Sequence, residues 1–277
     1  MDDHWTVETI HWDRFDRAKL DPDIVRLIKA AAMVEYNSRD YVGYLKQVFR
    51  GNADIEATLD RWGDEEVQHG RVLGRWAGLA DPSFRFEEAF ARFRKGYRPA
   101  HFENAAQSVR GSQVGELVAR CVVESGTSST YTAIRDAIGE PVLKQISGLI
   151  AADEFKHYRT FTAMIDQAPK RKPGLWGKLR VAVGRMAEVD DDELAFAYYC
   201  ANVSRGDPHD PVYDRKLHSR EYQSAMMTVY RASHAETAAK MIGRAAGLPA
   251  GSAILGWAAR AFWRHIDRHW RNGKVAH

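Results

Sequence analysis

Apolar positions along this chain recur every three or four residues in long runs, and nowhere does a two-residue alternation bounded by hairpin turns interrupt them. That period is helical, so the pattern predicts an all-α protein. Asp21-Pro22 opens the first long helix, which is expected to run through Ile24, Leu27, Ile28, Ala31, Val34, Tyr41 and Leu45 to Phe49 and to end at Gly51-Asn52. A second is expected from about Ala53 to Leu79, stopped by Asp81-Pro82. Residues 83–100 read as a crossover with one short helix. A third is expected from about Phe102 to Ile138, ending at Gly139, and a fourth from Pro141 to about Gln167. Further helical stretches follow near 176–187, 190–204, 213–246 and 252–272.

The architecture expected from this pattern is a four-helix bundle over residues 21–167, with additional C-terminal helices over residues 168–277 packed on it. Residues 1–20, rich in aromatic and charged residues without a clear period, are expected to wrap its outside. At 277 residues, 45% hydrophobic and 28% charged, the chain can bury a substantial core and has the composition of a globular protein. The longest apolar runs fall far short of a membrane span, and the acidic start Met1-Asp2-Asp3-His4-Trp5 is no secretory signal, so the expected location is the cytoplasm. A net charge of +3 gives no reason to expect nucleic acid. Cys121 and Cys200 are too few for a disulfide framework or a thiolate metal site and are expected to be reduced and packed.

Chemistry concentrates in two places. Trp62-Gly63-Asp64-Glu65-Glu66-Val67-Gln68-His69 and Ala151-Ala152-Asp153-Glu154-Phe155-Lys156-His157 each carry Glu-x-x-His within a helical pattern. Residues three apart share a helix face, so each motif offers a metal one carboxylate and one imidazole. Glu35 lies 31 residues before Glu66, and Glu124 lies 30 before Glu154. Two antiparallel helices joined by a short connection return to the same height after such an interval. Glu35, Glu66 and His69, then Glu124, Glu154 and His157, therefore read as a near-repeat of metal half-sites. Together they make the six-ligand set of a ferritin-like dinuclear bundle. Four inward carboxylates require a compensating cation, and an oxygen-rich set with two imidazoles suits two iron ions, or manganese, better than zinc. A third Glu-x-x-His, Glu8 to His11, has no inward helical partner and is set aside.

These same stretches resemble a known family. Gly148 to Tyr158 is similar to the Asp-Glu-Lys-Arg-His segment of the soluble acyl-[acyl-carrier-protein] desaturases. Trp62 to Gly70 resembles that family's Trp-x-x-x-Glu-x-x-x-His-Gly region with one residue of slippage, and Glu124-Ser125-Gly126-Thr127 resembles its third-helix segment. The resemblance covers residues 115–167, with a fainter match back to Ala30. It implies terminal carboxylates at Glu35 and Glu124, bridging carboxylates at Glu66 and Glu154, and one imidazole per iron from His69 and His157. It further implies Thr127 near the oxygen-binding face, the alternative being a hydroxyl bonded to its own helix. Asp153 would orient a ligand histidine, against the alternative of an ordinary surface aspartate.

By the same resemblance, the activity expected is an O2-dependent diiron oxidase that desaturates or otherwise oxidises a carrier-bound acyl chain. An acyl-carrier protein, a ferredoxin-like electron donor and a second copy of the chain in a homodimer are the expected partners. The alternatives are a ferroxidase or peroxide-scavenging protein, and a diiron hydroxylase or N-oxygenase. Trp12 or Trp62 is a candidate for an electron route, although packing is the commoner role of a tryptophan. Arg260, Arg264, Arg268, Arg271 and Lys274 form a late basic run that would suit an acidic carrier. With Trp257, Phe262, Trp263 and Trp270, the same segment is also a weaker candidate for peripheral membrane contact.

Overall fold

The aspartate-proline pair at residue 21 starts a helix as capping chemistry requires: the Asp21 carboxylate accepts the backbone N–H groups of Asp23 and Ile24, and Pro22 occupies the first helical position. In chain order the helices are α1 (Pro22–Tyr36), α2 (Ser38–Val48), α3 (Ala53–Ala80), α4 (Phe86–Gly96), α5 (Gln113–Ala137), α6 (Pro141–Gln167), α7 (Leu175–Ala187), α8 (Asp192–Asn202), α9 (Arg215–Val229) and α10 (Ala232–Ala245). Three 3-10 turns, at Val7–Thr9, Trp12–Arg14 and Arg17–Lys19, precede them. The computed structural model describes residues 4–97, 99, 108–168, 173–188, 192–249, 255–257, 259, 260, 263 and 264. The fold is all-α, with no strand among the described residues. No helix among them is long and apolar enough to cross a membrane.

The chain divides into two compact units. The first comprises residues 1–107, 138–149 and 190–226. Its central pair is α1 against α3, with α8 also packed on α1 and α2 against α3. The pair is antiparallel: Lys29 reaches Asp81, Tyr36 lies against Gly70, and Val42 lies against Gly63, so position rises along one partner as it falls along the other. Gly70 makes this approach possible, because a Cβ there would stand 2.6 Å from the Tyr36 backbone nitrogen. Ala30, Met33, Phe93, Ala197 and Tyr198 join Phe86 and Phe90 in an apolar cluster among α1, α4 and α8.

The first helix differs from its expected extent. It breaks at Asn37, whose N–H is shared between the carbonyls of Met33 and Val34 while its own carbonyl accepts from Asp40 N, a tightened turn that separates α1 from α2. Apolar periodicity continues across such a turn, so the pattern reads as one helix.

Residues 4–20 lie against other parts of this unit. Arg17 donates to the carbonyls of Leu79 and Ala80 at the end of α3, and the Trp12 ring lies under the Arg75 guanidinium at 4.2 Å. Fully buried Glu140 then ties three elements together, accepting from Asp16 N, from Trp76 Nε1 at 2.7 Å, and from Val142 N and Leu143 N at the start of α6. One carboxylate thereby caps a helix and fixes the N-terminal segment.

The second unit comprises residues 108–137, 150–189 and 227–277, so α6 begins in the first unit and continues in the second. Here α5 packs on α10 and α7. It also runs antiparallel to α6: Cys121 Sγ approaches the Tyr158 carbonyl and Thr162, Thr127 reaches Glu154, and Ser128 donates to the Ala151 carbonyl. α5 starts at Gln113 rather than near 102. Gly111 takes a positive φ of 78°, and Ser112 accepts from Gly115 N, forming a turn and cap that end any helix arriving from earlier. Residues 100–107 lie outside the described set.

The helix expected over 213–246 is likewise two. Arg231 adopts an extended conformation between α9 and α10. Of the stretch 252–272, the described residues 255–257, 259, 260, 263 and 264 are helical, with Arg260 and Arg264 exposed and Trp257 68% exposed. Phe262, Arg268, Trp270, Arg271 and Lys274 lie outside the described residues.

Candidate metal centre

In the first unit, α1 supplies Glu35 and α3 supplies Glu66 and His69. Each offers a ligand atom, and these atoms lie within 4.8 Å of one another. The three side chains are buried, His69 completely. Nδ1 of His69 stands 3.5 Å from Glu66 Oε2. The close contact at Gly70 sets this geometry, since it presses the turn after His69 onto Tyr36, the residue beside Glu35.

The second unit repeats the arrangement. Glu124 on α5 and Glu154 and His157 on α6 again bring ligand atoms within 4.8 Å of one another, all buried. His157 Nδ1 lies 3.5 Å from Glu124 Oε2 and 3.9 Å from Glu154 Oε2. All six metal ligands expected from the sequence are thus buried, three per unit. In both triads Nδ1 is the imidazole nitrogen that faces carboxylate oxygen. Glu8, on a 3-10 turn, and His11, the residue before the next such turn, both set aside earlier, are exposed.

The chemistry of each triad asks for a cation. Two ionised carboxylates beside one uncharged imidazole would place a double negative charge in a buried site, which a bound cation would offset. Ligand atoms held about 2.0–2.2 Å from a common ion stand roughly 3–4 Å from one another, and the separations of 3.5 and 3.9 Å fall in that range. The donor set is predominantly hard oxygen with one borderline nitrogen, which fits iron or manganese. The thiols are not part of it: burial first, with Glu124 adding to it, pushes Cys121 up to about 12, and burial likewise pushes Cys200 up to about 12.

Thr127 lies where its hydroxyl reaches a ligand. Its Oγ1 is 2.6 Å from Glu154 Oε2, and 3.2 Å from both the Val123 and Glu124 carbonyls. A single proton is shared among three acceptors, and the shortest contact is to the carboxylate. Asp153 is fully buried and accepts from Lys156 Nζ at 2.9 Å, so it is not an ordinary surface aspartate. Trp62 is buried on α3.

Two neighbours of the first triad carry no motif. The Trp5 ring stacks on His69 with 5.8 Å between centroids and 3° between planes, and Gln68 Nε2 fixes it by donating to the Trp5 carbonyl at 2.7 Å. Tyr222 on α9 is half-buried, and desolvation first, then the Glu35 carboxylate, push its phenol well above the ordinary value. An aromatic residue in an aperiodic leader and a tyrosine almost two hundred residues from Glu35 give a sequence reader nothing to connect them to a ligand. No model of a known protein family and no curated protein sequence matches the chain.

Proposed function

We propose that the two triads hold a pair of iron ions, one each, and that the protein is an O2-dependent diiron oxidase acting on a carrier-bound acyl chain in the cytoplasm. The observation that carries this reading is the repetition. Two helix pairs each present one glutamate opposite a Glu-x-x-His, buried and gathered within 4.8 Å. A surface salt-bridge pattern explains neither the burial nor the duplication. The sequence likeness to acyl-carrier-protein desaturases supplies the substrate class and the expected donor, a small iron-sulfur protein.

Bound iron would supply the reduction of oxygen that no side chain can perform. The chain supplies the rest. Glu35, Glu66, Glu124 and Glu154 neutralise and hold the ions, while His69 and His157 would present Nδ1 as ligand with their protons on Nε2. Thr127 restrains the Glu154 carboxylate through its hydroxyl, and the Trp5 ring covers one face of His69. Forming a double bond removes two hydrogens from adjacent methylenes. With two electrons and two protons from the donor side, these convert one O2 to two waters.

The test is reconstitution with ferrous iron, a reductant and oxygen in the presence of acyl-carrier-protein species, followed by intact-mass measurement. Loss of two hydrogens from the acyl chain is the expected result. Uptake and oxidation of iron without any organic product would replace this reading with that of a ferroxidase.

A further inference from the structure

In the second unit, α7 presents its larger apolar side chains to solvent. It packs on α5, yet among its described side chains only Ala182 is buried, while Trp176 is 82% exposed, Val183 59% and Leu175 41%. A helix on the surface of a globular protein turns such a stripe toward the core. Trp176 and Val183 lie within about 20° of each other around the helix axis, and half-buried Leu179 and Met186 continue the stripe toward Leu175 over roughly 100°. A contiguous apolar face of this kind marks an interaction surface, which a single exposed leucine would not.

The charge of this segment has one sign. Lys170, Arg171, Lys172, Lys178, Arg180 and Arg185 stand between Asp166 and Glu188 in the sequence with no acidic residue among them. Glu188 is itself held by Arg110 and Arg185. Arg180 is exposed one turn after Trp176 and about 40° around the axis from it, so it borders the apolar stripe. The same pairing recurs later in the unit: Trp257, Arg260 and Arg264 are helical and exposed, and their spacing puts them on one helix face. The start of α7 lies beside the turn that leads toward that segment, with Lys178 Nζ and Leu175 Cδ1 3.5 and 3.9 Å from the position a Cβ would take at Gly247.

Exposed tryptophans edged by arginines suit a boundary where hydrocarbon meets anionic headgroups. An acidic protein would answer the charge alone, whereas the stripe from Val183 to Leu175 runs along the outside of a helix and calls for an apolar medium that moulds to it. We propose that α7 docks the protein on an anionic phospholipid surface. Trp176, Val183 and Leu175 enter the boundary between headgroups and acyl chains, Arg180 meets lipid phosphate, and the charge of Lys170, Arg171 and Lys172 adds attraction. Trp257, Arg260 and Arg264 contribute a second contact of the same kind. Docking needs no metal, so this proposal and the metal reading stand or fall separately.

Flotation of the full-length protein with vesicles of phosphatidylcholine alone, or of equal parts phosphatidylcholine and phosphatidylglycerol, tests it. The protein should float with the anionic vesicles, partition at least about tenfold less onto the neutral ones, and be released by high salt. Trp176→Ser/Val183→Ser and Arg180→Glu replace exposed side chains, so each should keep the wild-type urea midpoint and lower partitioning onto the anionic vesicles about tenfold. Failure to float with anionic vesicles, equal partitioning onto neutral and anionic vesicles, or unchanged partitioning in either variant would each overturn the proposal. So would binding of an acidic acyl-carrier protein that both variants abolish while vesicles are not bound, which would make α7 a protein-docking helix instead.

Discussion

Thr127 shows how much one hydroxyl decides. It has one hydrogen and three acceptors in reach, of which the Glu154 carboxylate is nearest at 2.6 Å. A hydrogen bond to a charged acceptor contributes roughly 1.5–3 kcal/mol. In Thr127→Val the carboxylate loses that restraint but keeps its place on α6. The variant should still take up iron in both triads, with affinity in the second unit about tenfold lower by chelator competition, whereas Thr127→Ser keeps wild-type affinity. Equal affinity in the valine variant would show that the hydroxyl serves only its own helix. The same scale explains what a sequence reader finds and misses. Glu66 with His69 and Glu154 with His157 are visible because three-residue spacing is a helix-face signal. Trp5 and Tyr222 are invisible because their proximity to a ligand arises from folding alone.

At the scale of elements, helix ends and breaks follow local chemistry and helix faces follow periodicity. Pro141 with Glu140 before it marks the start of α6, and Asp81-Pro82 marks the end of α3 within a residue of expectation. The division at Asn37 and the start at Gln113 were hidden for different reasons. At Asn37 the apolar stripe continues through the turn, and at Gln113 the decisive feature is a glycine with positive φ whose conformation composition does not reveal. Gly70 has the largest consequence for the site. Adding a methyl group would put carbon 2.6 Å from the Tyr36 backbone and force α1 away from α3. Overpacking of this kind costs about 1–3 kcal/mol. Gly70→Ala should therefore lower the urea midpoint and halve the iron content, since the triad of the second unit does not depend on that contact. Unchanged stability with full iron content would contradict the role given to this glycine.

At the scale of the whole molecule, several thiols and phenols outside the triads are shifted in one direction by burial. Cys121 and Cys200 are raised from 9.0 to about 12, and burial also raises Tyr158, Tyr198, Tyr222 and Tyr230. Each is neutral when protonated and is held so by the fold. The native state thus keeps these protons at pH values where the unfolded chain releases them. Their contribution is complete below about pH 9 and is lost as pH rises toward 12. Calorimetry should find a melting temperature that falls across that interval, and a flat profile would show that these groups are not buried in solution.

The central claim is that two buried triads hold a coupled pair of irons. Mössbauer and EPR spectra of protein loaded anaerobically with ferrous iron and then exposed to oxygen test it most directly. Two irons per chain forming an exchange-coupled, EPR-silent ferric pair is the predicted result, reduced to a single iron in Glu154→Gln/His157→Ala. Failure to retain iron, or an isolated high-spin ferric signal from one or both sites, would contradict it.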